Sequence, residues 1–140
     1  MLVGNDASYS YQAIGDIPGQ WHQVGRHMGN IPGQTGGDAY GISYGMFDGG
    51  FRYFAGFEVD GSGPVPPELT TFSLPPHRYA VFSHSEHVSK ICLTIDAIHN
   101  QWLPSSGEAP PDDHVVIEVY GPHFDPQEGK GDIEIWYSIC

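Results

Sequence analysis

The sequence predicts an α+β fold, an antiparallel sheet with helices on one face, assembled from two β-α-β-β units. Three observations lead there. The 140 residues suit one domain, and 39% hydrophobic with 13% aromatic content can fill a core without disulfide or metal staples. Gly 19 and Pro 12 favour turns and short strands over a helical bundle. The order strand, helix, hairpin can be read twice, each time with a tryptophan on the helix, Trp21 and then Trp102.

Residues 1–12 carry a weak strand signal in which Tyr9 and Tyr11 alternate with serines. A short helix follows: Asp16 is the candidate N-cap, Pro18 lies in the first turn, and Ile17, Trp21, Val24 and Met28 form one apolar stripe ending at Gly29. Residues 30–38 read as a loop. "AYGISYGMF" and "FRYFAGFEVD", joined by Asp48-Gly49-Gly50, read as a β-hairpin. After a second loop, "LTTFSLPPHRYAVFSHS" gives two strand segments broken at Pro75-Pro76. Residues 86–103 give the clearest helix. Ser85 is its candidate cap, Val88, Ile91, Cys92, Ile95, Ile98 and Trp102 keep helical spacing, and Pro104 should stop it. Two final strands, 115–120 and 132–139, flank a turn-rich connection. The expectation is one domain over 1–140, with halves at about 1–62 and 63–140.

The net charge of −12, with only Arg26, Arg52, Arg78, Lys90 and Lys130 positive, offers no phosphate-binding surface. Direct nucleic-acid binding is therefore not expected; the acidity either attracts cationic partners or, as is more common, serves solubility alone. Cys92 and Cys140 suggest a buried thiol and a loose end rather than a disulfide framework. With no signal segment and no membrane-length apolar run, the expected setting is cytoplasmic, with no membrane partner. Whether the chain forms a homodimer is left open.

The two final strands each place a carboxylate among apolar residues, Glu118 in "VVIEVY" and Glu134 in "DIEIWYSI". Alternation puts Val115, Ile117 and Val119 on one face and Glu118 and Tyr120 on the other, and it opposes Ile133, Ile135 and Tyr137 to Glu134 and Trp136. If the aliphatic faces carry the helices, Glu118, Tyr120, Glu134 and Trp136 gather on the opposite face. That face is either a solvated one or an aromatic pocket with acids at its floor.

Other chemistries have weaker support. His84 and His87 straddle an element junction, His22 and His27 do not share a helical face, and no Cys-x-x-Cys accompanies them, so no metal and no cofactor is expected. No Ser-His-acid signature is visible, and no catalytic residue is assigned. Glycines 36–37 and 49–50 lack the setting of a phosphate loop.

Taken together, "YGISYGMFD", "FRYFAGFEVD", "PPHRYAVFSHS", "HNQWLPSSG", "VIEVYGPHFD" and "DIEIWYSI" resemble the GyrI-like small-molecule-binding domain, the effector-binding module of AraC- and MerR-type multidrug regulators. The resemblance runs from about residue 13 to 139. It implies a duplicated fold with a pseudo-twofold axis and a ligand cleft between the halves. It also implies a small-molecule partner, an amphipathic aromatic cation. In departure from the multidrug regulators, no helix-turn-helix is visible, so a stand-alone version is expected. The glutamate of "IEVY" carries over to Glu118 as counter-charge, with Glu134 and Trp136 from the "EIW" strand. Tyr120, Trp102, Phe54 and Tyr44 are the further aromatic candidates. Two other roles follow from the family: hydrolysis of electrophilic toxins, and a protein interaction of the gyrase-inhibitor kind. The N-terminal strand is shorter and more polar than the family pattern.

Overall fold

The computed structural model describes residues 1–35, 38–125 and 127–140. Residues 36–37, in the first expected loop, and 126, in the last expected turn, lie outside the described residues. The strands are β1 (Leu2–Ser10), β2 (Gln34–Phe47), β3 (Gly50–Val59), β4 (Thr70–Phe72), β5 (Arg78–His84), β6 (Val116–Tyr120) and β7 (Ile133–Ile139). They form one antiparallel sheet in the order β4-β1-β3-β2-β6-β7-β5. The order β1-β3-β2 meets β6-β7-β5 back to front, as a twofold axis between β2 and β6 requires. The predicted hairpin is present: Phe47 pairs with Gly50, leaving Asp48-Gly49 as a two-residue turn with Gly49 at φ +90°.

Helix α1 (Ile17–Gly25) is entered through a 3-10 turn over Tyr11–Asp16. Asp16 makes no capping hydrogen bond, because the preceding turn already holds it in a helical conformation, so the expected cap is not formed. Val24 is fully buried, whereas Met28 lies beyond the helix end and is exposed. The second helix also departs from expectation at both ends. His87, not Ser85, accepts from the Ser89 N–H at its start, where a 3-10 turn (Val88–Lys90) leads into α2 (Ile91–Ala97). Pro104 does not stop it. A π-helical turn, Ile98–Trp102, loosens the backbone just ahead, the proline sits in the first turn of α3 (Leu103–Ser106), and Gly107 ends the run at φ +77°. Cys92 faces outward rather than into the core. Among the described residues no helix is long and apolar enough to cross a membrane.

Both helices lie on one face. Val24, with Ile17 and Trp21, packs on Tyr53, Ala55 and Phe57. Ile91 and Ile98 pack on Val116, Tyr120, Ile133, Ile135 and Tyr137. The register joins the two groups, since Phe57 pairs with Ala39 and Ala39 with Tyr120.

The other face is equally apolar, with Leu2, Tyr40, Ile42, Phe54, Ile117 and Val119 buried there. It is covered because the sheet curls. Phe72 on β4 and Arg78 on β5 stand at opposite borders of the sheet, yet only five residues lie between them, six steps along the chain and a reach of at most about 21 Å. Six strand spacings in a flat sheet would need about 29 Å. The Phe72 ring lies 4.9 Å from Tyr44 and 5.2 Å from Phe54, in keeping with a concave helix-free face.

Candidate functional site

Every residue of β6 is buried, so hydrophobicity cannot say which way it faces. Pairing does. Glu118 stands opposite Ile135, and Glu134 opposite Val119. Directly paired residues share a face. Glu118 and Tyr120 therefore point toward the helices, with Val116 and Ile135. Glu134 and Trp136 point into the concave face, with Ile117 and Val119. The expected gathering of all four on one helix-free face is incorrect, because even-numbered residues of β6 align with odd-numbered ones of β7.

Glu118 is only 8% exposed. The Tyr120 hydroxyl donates to its Oε1 at 2.6 Å and the Tyr53 hydroxyl at 3.2 Å. Tyr53 in turn accepts from Trp21 Nε1 at 3.0 Å. The Trp21 ring meets Tyr120 edge-on at 5.5 Å, and Phe124 closes on Tyr120 at 4.9 Å. On the neighbouring strand, Gly41 pairs with Glu118. A Cβ there would lie 2.1 Å from the Tyr53 hydroxyl and 3.2 Å from the Trp21 ring, so only glycine leaves the tyrosine room to reach the carboxylate.

Among the described residues, no cation pairs with Glu118, and its Oε2 receives no hydrogen bond. Burial holds its carboxyl above the ordinary range, and the two hydroxyls only partly counter this. The same burial, with the Glu118 charge beside them, pushes both phenols up, so Tyr53 and Tyr120 remain neutral donors. Withdrawing a carboxylate from water costs several kcal/mol. Hydrogen bonds to a charged group return about 1.5–3 kcal/mol each. The site is a buried carboxyl flanked by aromatic rings, with both tyrosine hydroxyls on one of its oxygens.

A profile of the GyrI-like small molecule binding domain matches residues 1–139. The chain belongs to this family. It is 31% identical over 134 residues to the transcriptional regulator BrlR of Pseudomonas aeruginosa, a match covering 94% of this chain and 49% of the regulator; the chain thus spans about half that protein's length. Its fold is similar to that of SAV2435 bound to tetraphenylphosphonium, with TM-score 0.76, 21% identity, and coverage of 99% of this chain and 87% of the other. A transcription regulation protein of Staphylococcus aureus MU50 gives TM-score 0.72 at 19% identity, covering 99% and 90%. The GyrI-like domain is thus a small-molecule-binding module, and its fold is the expected α+β arrangement.

The remaining expected site residues are dispersed. Phe54 is fully buried in the concave core. Tyr44 donates to Asp6 and lies under Arg52, whose carbon Cζ is 5.7 Å from the ring; burial and the Asp6 contact push its phenol up to about 12. Trp102 packs edge-on to Phe82 at 5.1 Å and lines an open hollow of about 450 Å³ between the second helix and β5. Trp136 donates from Nε1 to Glu134 at 3.2 Å. Sequence reading passed over Tyr53, Gly41 and Phe124 and took Trp21 only as part of a helical stripe. Tyr53 is one position from the chosen Phe54 and faces the opposite way. Its signal would have been the glycine facing Glu118, visible only once the register is known. Cys92 lies near enough that the Glu118 charge, after desolvation and with Asp96, raises its thiol. Among the described residues no three metal-ligating side chains converge.

Proposed function

We propose that this domain binds lipophilic organic cations against Glu118, as a sensing or sequestering module. The observation that carries the reading is a buried carboxylate that, among the described residues, is held by two tyrosine hydroxyls and has no cationic partner. A guest cation would supply the missing counter-charge at Oε2. Trp21, Tyr120 and Tyr53 would supply ring faces, each worth about 0.5–2 kcal/mol to a cation. Trp21 and Phe124 pack on the Tyr120 ring beside the carboxylate, so entry would require these rings to shift. Tetraphenylphosphonium bound to a protein of the same fold supports the choice of ligand class.

Fluorescence titration with tetraphenylphosphonium and with neutral triphenylphosphine oxide tests it. The cation should bind at least about tenfold more tightly, and Glu118→Gln should erase that preference. Equal binding of both compounds, or an unchanged preference in the variant, would overturn the proposal.

A further inference from the structure

The curl of the sheet encloses a second hollow, away from Glu118 and on the opposite face. It measures about 380 Å³ and is lined by Tyr40, Trp136, Leu2, Leu74 and the exposed Glu58, together with Met1 and Ser73. Three features set it apart from an ordinary packing gap. The buried Tyr40 hydroxyl is directed at Glu58 Oε2, 3.4 Å away, and burial with the charges of Glu58 and Asp38 pushes that phenol up to about 12. The Trp136 N–H is already taken by Glu134, so the ring can offer a guest only its π surface, made more negative by the carboxylate behind it. Neither Glu58 nor Glu134 has a cationic partner among the described residues, in a chain of net charge −12. Two aromatic rings and the Glu58 carboxylate around an apolar floor, with Glu134 behind one of the rings, match the chemistry that recognises an ammonium group with short alkyl substituents.

We propose that this concave hollow is a second ligand site, selective for compact organic ammonium ions and independent of Glu118. Tyr40 and Trp136 present the ring faces, Glu58 is the principal counter-charge, and Leu2 and Leu74 contact the alkyl groups. The aliphatic floor and the modest volume exclude the large polyaromatic cations suited to the helix-side site.

The chain has three tryptophans, and Trp21, Trp102 and Trp136 occupy three separate environments, so their indole N–H signals in a 1H–15N NMR spectrum report the sites individually. Choline and its neutral isostere 3,3-dimethyl-1-butanol are the probes. Choline should shift the Trp136 signal saturably, and the alcohol should not. Glu58→Gln should weaken the effect about tenfold while leaving the Trp21 signal in place as evidence of folding, and Glu118→Gln should leave it intact. A Trp136 signal that does not saturate, one that responds equally to the alcohol, or one that is lost with Glu118→Gln would overturn the proposal. The last result would collapse the two sites into one without touching the reading of Glu118 itself.

Discussion

Glutamine at position 118 would still accept from Tyr53 and Tyr120, so Glu118→Gln isolates the charge from the packing. The ordinary value of this carboxyl is 4.5, and burial holds it higher in the folded chain. Below 4.5 the group is protonated in both folded and unfolded chains. As pH rises from there through the folded-state value, the unfolded chain releases its proton before the folded one does, so stability falls; above that value the loss is complete. The wild type should therefore lose stability across this window, measured by urea denaturation at several pH values, and Glu118→Gln should not. Cation affinity should run the other way, rising with pH as Glu118 ionises. Gly41→Ala tests the geometry. Its methyl would collide with a Tyr53 ring that is 1% exposed and cannot swing aside, so we expect a loss of about 2 kcal/mol and a changed Trp21 emission.

At the scale of elements, local chemistry was easy to read and relations between elements were not. Asp48-Gly49 announces its hairpin, and the double proline separates β4 from β5, because turn residues act within a few bonds. Pro104 misled because a stop signal presumes α-helical geometry, and the π turn before it removes the clash. Alternation sorts each strand into two faces, but both faces of β6 are buried, so nothing in "VIEVY" tells which one meets the helices. Glu118 was therefore legible as a residue of interest, while its true companions were not. The cap at the far end of the second helix gives a direct check. Gly107 sits at φ +77°, so Gly107→Ala should cost about 1 kcal/mol in thermal or chemical unfolding, with cation affinity unchanged.

Over the whole molecule, the short path from β4 to β5 sets the curvature of the sheet. Deleting Leu74 should destabilise the fold markedly more than inserting a glycine beside it, because a deletion shortens a link that must still reach from one border of the sheet to the other, whereas an insertion only adds slack. Phe72→Ala should cost about 2 kcal/mol by removing the ring that lies across Phe54 and Tyr44. The duplication itself could be inferred from the order of elements, but the curl could not, since it emerges only when strand order and linker length are considered together.

The bond from Tyr53 to Glu118 crosses the seam between the repeats, one partner coming from each, and so does the contact of Trp21 with Tyr120. Along the sheet, the seam is a ladder of five residue pairs between β2 and β6, and β4 adds three pairs to β1 at the border. A molecule that inserts itself beside the carboxylate must loosen a clasp between the two ends of the chain. Arrival of the guest would then register mechanically, as a change in how one repeat leans on the other, and a pair of dyes, one on each repeat, would read it as a change in energy transfer.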